Sequence, residues 1–148
     1  MTLAFVQVPD QLTIVALDPG NGRFGPSSDY VFDCWTPIVG PSTVLLWRCL
    51  ARVALEAGSG YAVVETPDVF ASLGLGASTA KNAIGPRTIA RMVGFGLAHC
   101  HGSRLLGVRP ALDLLSAGQS ARLGGRALRA HEVASGRWIA RCGEGASV

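Results

Sequence analysis

Three constellations in the chain have residue types and spacings that could do chemistry. In LDPGNGRFG (residues 17–25), Gly20, Gly22 and Gly25 fall in the spacing G-x-G-x-x-G at the end of the apolar run LTIVAL. Small residues so spaced let a backbone approach a pyrophosphate resting on the N-terminus of the next helix. His99-Cys100-His101 sets two imidazoles and a thiol side by side, the ligand types that zinc takes. Arg87, Thr88 and Arg91, with Lys81 and Asn82 just ahead of them, form a basic and polar group of the kind that contacts base edges and phosphates.

Each constellation depends on the elements that would hold it. The glycine stretch also resembles the first phosphate loop of actin-like ATPases, with Asp18 in the place of the acidic residue, but such an ATPase needs more than twice the 148 residues present. A dinucleotide site needs a helix starting inside the loop, where Pro26-Ser27-Ser28 supplies another turn, and no β-α-β unit follows. LDPGNGRFG therefore reads as a flexible hinge between an N-terminal hairpin and a helical body. On a strand, His99 and His101 face one way and Cys100 the other, so three metal ligands do not converge locally. No nucleophile elbow is present, and the acidic residues are few and scattered. The expectation is a non-enzyme without cofactor or metal.

Charge supports the third constellation. The net charge of +3 is unevenly spread: residues 1–80 carry three basic and seven acidic side chains, residues 81–148 ten and three. A basic half is the electrostatic footprint of a polyanion partner. Cys34, Cys49, Cys100 and Cys142 are widely spaced, which suits reduced thiols rather than a disulfide framework. No uninterrupted apolar run reaches membrane-spanning length, and MTLAFVQVPDQ lacks the basic lead of a signal peptide. A cytoplasmic location without membrane contact is expected.

Along the chain, LAFVQV and LTIVAL flank Pro9-Asp10-Gln11 and predict a hairpin. A short helix DYVFDCW follows, capped by Asp29 or Ser28. A longer helix then runs from Pro41 to a stop at Gly58, its apolar residues, Leu45 among them, buried on nearly all sides around a stripe of Arg48, Arg52 and Glu56. That apolar face reads as core, with a homodimer interface as the alternative. YAVVE predicts a strand. Thr66-Pro67-Asp68 opens a short helix ending at Gly74. Gly85 and Pro86 open the helix PRTIARMVGF, because proline in the interior of a longer helix costs about 3 kcal/mol; Ile89, Met92 and Val93 face inward and Arg87, Thr88 and Arg91 outward. LAHCH and RLLGVR make two strands joined by Gly102-Ser103. SAGQSARLGGRALRAHEVASG is helical but broken at Gly124-Gly125, so Arg122, Arg126 and Arg129 share a face only if the helix runs through the break. The tail around Trp138 and Ile139 adds a strand or frays.

The stretch VVETPDVFASLGLGASTAKNAIGPRTIARMVGFGLAHCHGSRLLGVR resembles the winged helix-turn-helix family in its order of elements and in the step MVGFGLA from recognition helix to first wing strand. Upstream, CWTPIVGPSTVLLWRCL is similar to the opening of the winged-helix domain in primosomal helicase-loading proteins of Gram-positive bacteria. Trp35, Pro37, Ile38, Gly40 and Leu45 match that opening, and Thr43 and Trp47 meet it loosely. The resemblance implies a mainly α fold with small β structure (α+β): an N-terminal hairpin and loop over 1–28, a winged helix-turn-helix over 29–110 and a helical extension over 111–148. It also implies a bacterial or phage protein that binds double-stranded DNA, as a transcriptional regulator or mobile-element factor. In that geometry the second helix enters the major groove. Arg87 and Arg91 would reach guanine, Thr88 a thymine methyl or a phosphate, Lys81 and Asn82 backbone phosphates, and Arg104 in the wing the minor groove. Arg122, Arg126 and Arg129 would extend the phosphate-binding surface. The alternative is a winged helix that docks another protein in replication or phage assembly, motivated by the long loop Gly76 to Gly85 and the apolar helix 41–57.

Overall fold

β1 (Gln11–Ala16) lies inside the sheet of a computed structural model that describes residues 8–136. Leu12 and Ile14 are fully buried and alternate with half-exposed Thr13 and Val15, the period of two that gives a strand one core face. β1 pairs antiparallel with β2 (Tyr61–Glu65) and parallel with β4 (Leu105–Val108), and β3 (Ala98–His101) pairs antiparallel with β4. The sheet order is β2-β1-β4-β3.

Both edges of LTIVAL are thus occupied, by β2 and β4, rather than one of them by LAFVQV. The register explains why: Leu12 stands beside Val64, and Ile14 between Ala62 and Leu106, so one continuous apolar face forms across three strands. An isolated two-stranded hairpin would bury far less. The expected partner falls mostly in residues 1–7, which lie outside the described residues, as does the tail around Trp138 and Ile139. The strand expected in an N-terminal appendage is therefore internal to the sheet.

Helical backbone begins at residue 29, where the Ser28 hydroxyl accepts from the Tyr30 N–H at 3.1 Å. It continues through a π-helical turn (Val31–Trp35) into α1 (Thr36–Val39) rather than stopping after Trp35. Pro37 has no N–H to return to the carbonyl four residues back. The wider turn before it, closed by the Thr36 N–H on the Val31 carbonyl, lets the run continue. Gly40, at φ 96°, redirects the chain into α2 (Pro41–Glu56), with proline at the first position. α2 buries Val44, Leu46, Trp47, Leu50, Ala51 and Ala54. The Trp47 indole donates to the Arg109 carbonyl at 2.8 Å and the Trp35 indole to that of Asp113 at 3.0 Å, fixing the chain leaving β4 to the helical layer. Leu45 is 44% exposed, not buried: it continues the Arg48–Arg52–Glu56 stripe and borders a groove of ≈ 350 Å³ with Cys49, Val53 and Leu73.

α3 (Thr66–Ser72) and α4 (Ile84–Gly94) end alike. Gly74 and Gly96 take φ of 76° and 77°, and the following N–H groups, of Leu75 and Leu97, return to the carbonyls of Phe70 and Met92 at 2.9 Å each. This is the glycine-capped ending in which a buried apolar residue closes over the last turn. α5 (Ala117–Ser120) starts with a reciprocal cap between Ser116 and Gln119. α6 (Gly125–Ala134) packs on the π-helical turn. There His131 is buried with Nδ1 2.7 Å from the Tyr30 hydroxyl, which accepts the Leu115 N–H at 3.0 Å.

Among the described residues the fold is α+β, with helices packed on one face of a four-stranded mixed sheet. On the other face Tyr61 and Val63 are 53% and 57% exposed, beside Thr13, Val15 and Leu105 in register; the Leu17 side chain lies over Gly107. Among the described residues no helix is long and apolar enough to cross a membrane.

Candidate nucleic-acid interface

α4 is set by its buried side. Ile89 and Met92 are in the core, and Gly85 lies so close to the Phe70 ring that a Cβ there would overlap it. The helix begins two residues before Pro86, close to the expected start, with its Ala83 N-cap supplying no side-chain cap. The exposed residues Ile84, Arg87, Arg91 and Gly94 recur at helical spacing and form one stripe.

Thr88 is not on that stripe. It is only 5% exposed, and its hydroxyl donates to the Ile84 carbonyl at 2.7 Å. On a 3.6-residue helix it shares the face of Gly85 and Met92, so its methyl turns inward and its hydroxyl is occupied by its own backbone. The expectation that Thr88 points outward beside Arg87 and Arg91 is corrected on that ground.

Arg87 and Arg91 do stand together. They line one recess of ≈ 210 Å³ with Ile84, Thr88 and Ser42 of α2. The Arg91 guanidinium folds toward the start of α2, its carbon 3.7 Å from where a Cβ on Gly40 would sit. The ion pairs among the described residues, Arg23 with Asp113 and Arg52 with Glu56, involve neither side chain. Ser42 was missed by sequence reasoning. The signal was the Gly40-Pro41 pair, which places the first turn of α2 but does not reveal that α4 packs beside it.

The remaining candidates are dispersed. Lys81 and Asn82 are exposed in the turn leading into α4, steadied by the Thr79 hydroxyl on Asp10 Oδ1 at 3.3 Å and the Ala80 N–H on Ser78 Oγ at 3.2 Å. Arg104 is the last of three residues in the β3–β4 turn, one more than the two-residue expectation, with Gly102 at φ 70°. Its side chain is exposed while its carbonyl accepts from the Thr13 N–H at 2.8 Å. Arg122 lies between α5 and α6, so it does not continue the helical face of Arg126 and Arg129. Those two line a separate recess with Asp33. α4 packs on α2 and β3 whereas α6 packs on the π-helical turn, so the two arginine groups rest on different supports.

The glycine stretch is no hinge. The Gly20 N–H donates to Asp18 Oδ1 and that of Gly22 to the Pro19 carbonyl, each at 2.8 Å. The Arg23 and Phe24 N–H groups both reach the Leu112 carbonyl at 2.9 Å, and Leu112 returns a bond to Phe24. These bonds pin the stretch to the chain after β4 and occupy the Gly20, Gly22, Arg23 and Phe24 N–H groups, which a phosphate loop would leave open.

His99 and His101 lie on the outer sheet face with ring centroids 4.6 Å apart, while Cys100 packs against the core. Among the described residues no group of three His, Cys, Asp or Glu side chains is placed to hold a metal. Burial pushes the Cys34 and Cys100 thiols up to about 11 and raises that of Cys49, so their nucleophilic thiolate forms are scarce near neutrality. Compared with known proteins, the chain matches no family model, no curated protein and no solved structure.

Proposed function

We propose that this chain is a non-catalytic DNA-binding protein of winged-helix type, cytoplasmic, and acting as a transcriptional regulator or mobile-element factor in a bacterium or phage. One observation carries the reading: an exposed α4 stripe bearing Arg87 and Arg91, neither in an ion pair among the described residues, within the element order α2-β2-α3-α4-β3-β4. In that order α4 is the recognition helix and the β3–β4 turn the wing. β1, between β2 and β4, is then an added strand inside the wing sheet. Lys81, Asn82 and Arg104 flank the groove-facing stripe, and Arg122, Arg126 and Arg129 add positive charge elsewhere.

Binding of this kind is salt-dependent, with log K falling by about 0.9 per phosphate contacted for each decade of salt. A mobility-shift titration at two salt concentrations tests it. Absence of binding to any duplex at low salt removes the proposal.

A second reading is favoured by the outer sheet face. Tyr61 and Val63 are more than half exposed at an edge strand, and such apolar surface suits a protein partner or a second copy of the chain. On that reading the protein is a winged-helix adaptor. Arg87→Ala with Arg91→Ala would leave its function intact, whereas Val63→Lys would abolish co-purification of the partner.

A further inference from the structure

We infer that the recess between α4 and the first turn of α2 seats one phosphate group, with Arg91 and Arg87 as its ligands and Ser42 as its third wall. The inference deepens the DNA-binding reading and rests on it for the source of the phosphate, a backbone phosphodiester. It reassigns Arg87 and Arg91, both of which sequence spacing would send to guanine edges.

The geometry favours a tetrahedral oxyanion over a base edge. Arg87 and Arg91, one helical turn apart, line the same ≈ 210 Å³ space, which exceeds the volume of a single phosphate. The Arg91 guanidinium lies against Gly40 instead of standing straight out from α4, which puts its charge at the α2–α4 seam. A Cβ on Gly40 would be in ordinary van der Waals contact with the guanidinium, so the close approach is compatible with the turn that Gly40 makes at φ 96°. No carboxylate pairs with either arginine among the described residues, leaving like charges side by side with nothing to neutralise them. A ligand with two or more negative oxygens relieves that repulsion and matches the planar donor fork of each guanidinium. The Ser42 hydroxyl, which makes no hydrogen bond with the described protein groups, adds a neutral donor on the opposite wall. The Thr88 hydroxyl is already spent on Ile84. A phosphate contact here fixes the register of α4 on a duplex without reading sequence.

The test uses the full chain and three substitutions. Arg91→Gln removes one ligand from an exposed position. Ser42→Glu puts a carboxylate into the recess, where an acidic residue in the first turn also suits α2, so the fold survives while the anion is excluded. Arg52→Gln, on another face of α2, is the control for loss of one positive charge. Thermal unfolding is followed with inorganic phosphate against chloride at matched ionic strength, and duplex binding is followed across salt concentrations.

Phosphate at about twentyfold over its Kd should raise the wild-type Tm by about 5 °C. The rise should persist in Arg52→Gln and vanish in Arg91→Gln and Ser42→Glu. The salt slope for DNA should flatten by about 0.9 in Arg91→Gln, with discrimination between duplex sequences unchanged. Equal phosphate shifts in all four proteins, an unchanged slope in Arg91→Gln, or a loss of sequence discrimination there would each overturn the inference. A phosphate shift confined to the intact recess with no duplex binding would uphold the site, refute the DNA reading and point to a free phosphate-bearing molecule. Duplex binding without that shift would do the reverse.

Discussion

Gly85→Ala probes how α4 is seated on its support. The added methyl would fall inside van der Waals distance of three atoms of the Phe70 ring, and Phe70 is only 1% exposed, so the ring has no free space to enter. Either the ring leaves its rotamer or α4 shifts outward, and overpacking of this kind costs about 1–3 kcal/mol. Alanine recovers something as a better helix former, up to about 1 kcal/mol in a helix interior and less in the first turn. The net loss is about 1–2 kcal/mol, which lowers Tm by about 3–6 °C at this chain length. Gly118→Ala is the internal control: it lies in α5 with nothing near its would-be Cβ, so it should match or exceed the wild type by about 0.5 kcal/mol. Calorimetry of the three proteins decides the matter. If Gly85→Ala unfolds at or above the wild-type temperature, the close packing of α3 on α4 is not what positions the arginine stripe.

Tyr30→Phe leaves the Leu115 N–H without its acceptor and takes a partner from His131 Nδ1, so urea denaturation should show a loss of about 1–3 kcal/mol; a loss under about 0.5 kcal/mol would mean the hydroxyl holds nothing together. Cys34 and Cys100 have folded pKa values raised to about 11 from 9.0 by burial. The folded state therefore keeps protons that the unfolded chain releases, and the stability this contributes is present below pH 9 and lost between pH 9 and 11. The urea midpoint should fall across that window, and fall less in a Cys34→Ser, Cys100→Ser double variant; parallel curves would contradict the assignment. Val63→Lys changes an exposed edge-strand position, so its stability should stay within about 0.5 kcal/mol of the wild type, and a larger loss would mean that this face is covered.

The sequence was most legible where one local force dominates. Alternation located β1, the Thr66-Pro67 start located α3, and the glycine-apolar steps at Gly74 and Gly96 located the helix ends. The start of α4 beside Gly85-Pro86 followed from what proline forbids. The arrangement of strands was not legible, because LTIVAL presents the same alternating face to any neighbour and only the sum of Ala62, Val64 and Leu106 against it selects β2 and β4. Thr88 was misplaced because a hydroxyl next to an arginine reads as surface, while its wheel position beside Gly85 and Met92 puts it inside. LDPGNGRFG looked free because glycines mark turns without telling what a turn is bonded to, here Leu112. The Arg87–Arg91 pair was legible as a pair, but the wall opposite, Ser42, comes from a helix about 40 positions earlier, and no local pattern encodes that approach.

The most direct measurement is the salt dependence of duplex binding for the wild type and for Arg87→Ala combined with Arg91→Ala. The account predicts a steep wild-type slope that flattens by about 1–2 in the double variant, with weaker binding at every salt concentration and a Tm no lower than that of the wild type. Wild-type and variant lines that superimpose would contradict it, since α4 would then present its arginines to nothing.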